Sequence, residues 1–157
     1  MNRSIKKVAV LGSGIMGAGI ACHFANIGVE VLLLDIISKE PNELEKKKGL
    51  DATHLSVRNR IVTNNLTTAV ISKPAPLYHP SFKARIEIGN FEDDMPKLSE
   101  VDWIIEVVVE RLDIKKLVFE QVEQHRTPGT LVSSNTSGIP IKFMNEGRSK
   151  DFQEHFT

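Results

Sequence analysis

The chain has 157 residues, enough for one domain with a sizeable core. Hydrophobic residues make up 41% and charged residues 25%, a globular balance that excludes a disordered chain. Lys plus Arg and Asp plus Glu both number 20, so there is no net field to gather nucleic acid or an anionic membrane, and a bound anion needs a local site.

The start, MNRSIKKVAVLGSGIMG, is basic and then apolar like a secretion signal, but its glycines break the apolar run at once. Lys7 to Leu11 reads instead as a strand buried inside a parallel sheet. A glycine turn and a helix from about Ile15 to Ile27 follow, with Gly28 as its stop. Cys22, the only cysteine, sits in that helix without a disulfide or metal-ligand partner. A buried thiol and a cytoplasmic location are expected. Val29 to Leu34 predicts a second apolar strand ending at Asp35, and the three elements have the size of one βαβ unit.

Residues 38–49 are charged and polar. Residues 50–71 predict one long helix with Leu55, Ile61, Val62, Leu66 and Val70 as its apolar positions. Pro74, Pro76 and Pro80 mark a loop, and Arg85 to Ile88 a short strand. Trp103 to Val109 predicts an apolar strand interrupted by Glu106. Asp113 is placed to cap a helix whose face is Ile114, Leu117, Val118 and Val122. A Pro-Gly turn, a strand at Leu131 to Ser134 and a short helix after Pro140 complete the chain. The expected fold is α/β and Rossmann-type: a mostly parallel sheet, helices on both faces, and a long helical excursion after the second strand. No run is long and apolar enough to span a bilayer, so neither membrane nor nucleic acid is an expected partner.

The run GSGIMG places Gly12, Gly14 and Gly17 in a G-x-G-x-x-G pattern directly after a strand and opening a helix. That context identifies a dinucleotide fingerprint. The first glycine permits the tight turn, the second lets a pyrophosphate approach the backbone, and the third lets helix and strand pack closely. Ser13, Ile15 and Met16 complete the loop, whose free N–H groups and helix dipole bind phosphate without a basic side chain. Asp35 lies where a carboxylate accepts ribose hydroxyls and repels a 2′-phosphate. Ile36 and Ile37 follow it, with no arginine for that phosphate. NAD is therefore the expected cofactor. A kinase loop would lie between strands and need a V-A-I-K strand soon after; a methyltransferase is disfavoured by the third glycine.

Three runs, GSGIMGAGIA, IIEVVVERLDIKKLVF and LVSSNTSGIP, together resemble the NAD-binding domain of 3-hydroxyacyl-CoA dehydrogenases, in the same order and across nearly the whole chain. Only the segment from Ser38 to Arg85 matches weakly. The resemblance implies an enzyme that oxidises the 3-hydroxyl of 3-hydroxyacyl-CoA with NAD in fatty-acid β-oxidation. It implies that Glu110 and Lys115 lie near the nicotinamide half, with Val108 and Val109 on the same wall. It makes Asn135 and Ser137 the polar pair at the reacting centre. Read from the residues alone, Glu110 could instead help start the following helix, and Lys115 could be a solvated surface lysine. Asn135 and Ser137 could be turn and cap chemistry. Lys46, Lys47, Lys48, Arg58 and Arg60 could meet CoA phosphates, but a solvated charged run is the preferred reading.

The family's base is a histidine in R-F-x-G-x-H-F-F-N-P. The chain closes on DFQEHFT. One register makes His155 the base; the other puts Phe156 on the first F and the base just beyond Thr157. Gln153 and Glu154 do not fit G-x, so the second register is expected. Residues 1–157 then form the NAD-binding domain, and a helical substrate and dimerisation domain lies outside them. The full-length protein is expected to be a homo-oligomer or part of a multifunctional β-oxidation enzyme. Two other readings stay open: another NAD-dependent hydroxyacid dehydrogenase, and a non-catalytic NAD-binding protein.

Overall fold

The computed structural model describes residues 4–157; Met1 to Arg3, which carry the first charge of the basic start and open the expected domain, lie outside the described residues. Val8, Ala9, Val10 and Leu11 are all buried. An unbroken apolar run is satisfied only when both faces of its strand are covered. Accordingly, β1 (Lys7–Leu11) is the middle strand of a five-stranded sheet. Its neighbours are β2 (Glu30–Asp35) and β4 (Trp103–Glu106), with β3 (Ile86–Asn90) and β5 (Leu131–Ser134) outside them. Every pairing is parallel, in the order β3-β2-β1-β4-β5. The chain therefore reverses its direction of winding between β1 and β4, where open α/β sheets form their ligand crevice.

Alternation along β1 and β2 divides the core. Val8, Val10, Val31 and Leu33 join Ala21, Cys22 and Ala25 of α1 (Ile15–Asn26) and Val62 and Leu66 of α4 (Arg60–Ile71). Ala9, Leu11, Leu32 and Leu34 face the other way, towards Val118, Phe119 and Val122 of α5 (Leu112–His125). The buried stripe of α1 is Gly17, Ala18, Ala21, Cys22 and Ala25, small residues that let the helix lie close to the sheet. Burial pushes the Cys22 thiol pKa up. Gly28 (φ +88°) follows the C-cap Ile27 rather than being the cap. The Gly28 N–H donates to Ala25 O (3.3 Å) and the Val29 N–H to Phe24 O (3.0 Å), the paired bonds of a Schellman ending.

Several boundaries differ from the sequence expectation. The polar stretch holds a short helix, α2 (Glu43–Lys47), closed by a reciprocal capping box between Asn42 and Glu45. The expected single helix over residues 50–71 is divided into α3 (Leu55–Arg58) and α4 at Asn59. The side-chain Oδ1 of the buried Asn59 accepts from Asn90 Nδ2 at 2.7 Å, tying the break to the end of β3. Leu55 is exposed, and Val57 is the buried residue of α3. A 3-10 segment over Met95–Glu100 appears where nothing was expected, burying Met95 and Leu98. β4 stops at Glu106, three residues early, because the Val108 N–H turns back to the Glu106 carboxylate at 2.7 Å. Arg111, not Asp113, occupies the N-cap position of α5, with no side-chain cap bond, and Asp113 lies in the first turn. The buried face of α5 is Lys115, Val118, Phe119 and Val122, while Leu117 is exposed.

Two short helices, α6 (Ile141–Asn145) and α7 (Lys150–Glu154), end the chain; only the first was expected. Phe152 and Phe156 pack with Phe119, the pairs 5.0 to 5.8 Å apart between ring centroids. Phe156 then bridges Val132 in parallel. The Val132 N–H donates to His155 O (2.9 Å) and the Ser134 N–H to Thr157 O (3.0 Å).

Candidate functional site

The glycine loop is built by close approach. Gly12 has φ +109°, and its N–H donates to Leu34 O at 2.7 Å. A Cβ there would meet Val107 O at 2.6 Å, so Gly12 lies directly against the chain leaving β4. A Cβ on Gly17 would fall 1.8 Å from Gly12 O. Gly14 is different, because nothing lies within 4 Å of its Cβ position. It stands at the N-cap of α1, where no side chain caps the helix. Of the helix's first residues, Ile15 is 94% exposed and Met16 58%. The result is an uncapped helix start facing open space beside the crevice between β1 and β4, which fits a dinucleotide pyrophosphate held by backbone N–H groups. At the end of β2, Asp35 Oδ2 accepts the Ser13 N–H at 2.7 Å and the Ser13 hydroxyl, and Asp35 Oδ1 accepts the Ile36 N–H at 2.7 Å.

Across the crevice, three charges converge. Glu106 and Lys115 are both fully buried, with Lys115 Nζ 2.8 and 2.9 Å from the two Glu106 oxygens. Glu106 also accepts the Val108 N–H and the Ser134 hydroxyl, joining β4, α5 and β5. Glu110 Oε2 lies 3.3 Å from Lys115 Nζ. Its Oε1 accepts the Thr136 hydroxyl, the Ser137 N–H (3.1 Å) and the Gly138 N–H (2.9 Å). Glu110 thereby closes the loop after β5, from which Asn135 and Ser137 project, both exposed. The Asn135 N–H is held by Glu106 O at 2.8 Å. Val108 packs against the core, and Val109 is 60% exposed.

The Thr136 hydroxyl, with the Gly138 and Ser137 N–H groups and Lys115 behind it, lowers the Glu110 pKa to about 2 from an ordinary 4.5. A depressed carboxylate contributes stability that is present above its unfolded pKa and is lost as pH falls through the folded one. The loop contacts therefore hold at pH 4.5 and are released only towards pH 2. In a carboxyl-carbon NMR titration, Glu110 should show a midpoint near 2, tracked by the Ser137 and Gly138 amide signals. A midpoint at the ordinary value would show that these donors are not engaged in solution.

Residues 7–156 match the family described as the 3-hydroxyacyl-CoA dehydrogenase NAD binding domain. The chain belongs to this family. Over 156 residues it is 52% identical to a probable 3-hydroxyacyl-CoA dehydrogenase of Bacillus subtilis, covering 99% of this chain and 20% of that protein. It is 35% identical to a putative fatty acid oxidation complex trifunctional enzyme of Rickettsia felis, with the same coverage. The crystal structure of a 3-hydroxybutyryl-CoA dehydrogenase from Escherichia coli superimposes with a TM-score of 0.65 at 27% identity, over 98% of this chain and 29% of that one. The chain thus spans about a fifth of the length of the two curated relatives. NAD is the cofactor of this family of domains.

Within this NAD-binding domain, the fold brings the glycine loop, Asp35, Val108 to Glu110, Lys115, Asn135 and Ser137 to the C-terminal ends of the strands. His155 lies at the opposite end. It lines a hollow with Ser4, Asp102 and Thr130, beside the starts of β1, β4 and β5. Its Nδ1 is 2.7 Å from Asp151 O. Arg58 pairs with Asp93 and Glu92, and Arg60 with Glu45, so these cations are engaged within the domain. No helix among the described residues is long and apolar enough to cross a membrane. Sequence reasoning missed Glu106 and Thr136 as parts of the site, and it missed the burial of Lys115. The one available signal was an acid inside an apolar strand with a lysine nine residues on.

Proposed function

We propose that this chain is the cofactor half of an enzyme that oxidises the 3-hydroxyl of a 3-hydroxyacyl-CoA in fatty-acid β-oxidation. The observation that carries the reading is the contrast within the glycine loop: Gly12 and Gly17 are pressed against backbone, while Gly14 faces empty space at an uncapped helix start. Bound NAD supplies a hydride acceptor. The loop N–H groups and the start of α1 hold its phosphates. Asp35 accepts a ribose hydroxyl. Val108 and Val109 wall the nicotinamide side, and Glu110 with Lys115 fixes the adjoining loop. Ser137 hydrogen-bonds the reacting oxygen, and Asn135 helps order the site.

On this reading the proton acceptor is a histidine following Thr157. Its support is directional: His155 faces the wrong end of the sheet, and the final segment runs parallel to β5 towards the end where Asn135 lies. The acyl-CoA and the rest of the subunit, as a homo-oligomer or as one part of a multifunctional enzyme, belong to the same proposal, as does a cytoplasmic setting.

The test is calorimetric titration of NAD into the chain and into Gly14→Val. The variant should keep the wild-type circular dichroism spectrum and melt while losing more than about tenfold in affinity. Wild-type affinity in the folded variant would remove the glycine loop from the site. NADH formation from 3-hydroxyacyl-CoA against short hydroxyacids, measured on the whole gene product, decides the substrate.

A further inference from the structure

Ser13 lies between the first two glycines and is fully buried. Its N–H (2.7 Å) and its hydroxyl both donate to Asp35 Oδ2, and Asn65 Nδ2 donates to Ser13 Oγ at 2.9 Å. The direction of this chain follows from chemistry. A carboxylate only accepts, so the single Ser13 proton goes to Asp35; the Ser13 oxygen must then accept, so Asn65 must present its amide N–H. With Ile36 N–H on Oδ1, three of the roughly four acceptor sites of Asp35 are filled and one remains. Asn65 belongs to α4, half-buried beside Leu66, and α4 is anchored through Val62 and Leu66 to the core it shares with α1.

We propose that Asn65 and Ser13 are positioning residues that set the choice of NAD over NADP, by locking the Asp35 carboxylate through one hydrogen-bond chain running from α4 to the end of β2. The proposal rests on the NAD reading of the site and adds to it a contribution from the helical excursion. Without the side-chain links, only the Ser13 and Ile36 N–H groups would hold the carboxylate, leaving it looser. Locked, it offers its last acceptor site to a ribose hydroxyl and keeps its charge where a 2′-phosphate would lie. Released, it does both less well. Because the lock acts on one carboxylate, its loss changes the ratio of the two affinities. A general loosening of the glycine loop would instead weaken both cofactors alike, since both carry the same pyrophosphate.

The test is titration of NAD and of NADP, separately, into the wild-type chain and four variants: Ser13→Ala, Asn65→Leu, Asp35→Ala and Thr67→Ala. Asn65→Leu keeps the shape on a half-exposed helix position and removes the donor, so it guards against misfolding of Ser13→Ala. Thr67→Ala, on the exposed side of α4, is the control. Wild type should prefer NAD and Asp35→Ala should lose the preference. Ser13→Ala and Asn65→Leu should each lower the preference about five- to tenfold, as expected for the net loss of one ordinary side-chain hydrogen bond from the chain, and Thr67→Ala should not. An unchanged ratio in Asn65→Leu, with the ratio collapsed in Asp35→Ala, overturns the proposal and leaves the NAD reading standing. If wild type shows no preference and Asp35→Ala changes nothing, the NAD reading fails and the proposal falls with it.

Discussion

Replacing Lys115 with methionine should cost about 3–5 kcal/mol of folding stability, the loss expected when one member of a buried ion pair is removed. Lys115 Nζ sits between both oxygens of Glu106, and neither side chain has any exposed surface. Without the cation, the carboxylate stays buried with two neutral donors, the Val108 N–H and the Ser134 hydroxyl. These cannot balance a full charge away from water. Adding Glu106→Gln to Lys115→Met should recover most of the loss, because the amide keeps the shape and removes the charge: its one oxygen accepts the Val108 N–H, and its NH2 donates to the Ser134 hydroxyl oxygen, which turns to accept. Urea unfolding of wild type, single and double variants measures this, provided the slope with denaturant is unchanged. A loss below about 1 kcal/mol in the single variant, typical of an exposed pair, would show that water reaches Glu106.

Gly17→Ala should prevent folding or destabilise the domain by more than about 3 kcal/mol, beyond the usual range for overpacking. The added methyl would lie 1.8 Å from Gly12 O and 2.9 Å from Gly12 C. Gly12 cannot retreat, because its far side already faces Val107 O and its N–H is bound to Leu34 O. Gly14→Ala, three residues earlier, should leave the melt nearly unchanged, since Gly14 has an ordinary φ of −56° and open space around it. Thermal melts of the two variants side by side make the comparison. A wild-type melt for Gly17→Ala would contradict the tight contact between helix and loop.

The parts of this domain legible in its sequence are those governed by short-range pattern. β1, the glycine turn, α1 and β2 follow from an apolar run, three glycines and a stop at Gly28, all within neighbouring residues. Asp35 was legible because its role depends on its place at a strand end. The parts that were not legible depend on partners far along the chain. Asn59 breaks a helical pattern because it meets Asn90, and neither residue signals the other. Lys115 reads as a surface lysine until α5 folds back over Glu106. Leu117 fits the apolar face by spacing, yet the helix is rotated so that Lys115 and Phe119 turn inward instead. Ser13 was legible as a loop residue, but its link to Asn65, 52 positions away, was not.

The central place of β1 also sets an order of assembly. β1 pairs with β2 across about one helix of intervening chain, but its other neighbour, β4, begins at Trp103. During synthesis the amino-terminal portion is exposed first, so the glycine loop and β2 leave the ribosome long before the opposite wall does. Gly12 has nothing to close against until Val107 arrives. The phosphate-binding turn is thus among the first features the nascent chain can form. The crevice around it cannot exist until more than two-thirds of these residues have been made, so a nascent chain short of that length cannot hold the whole cofactor.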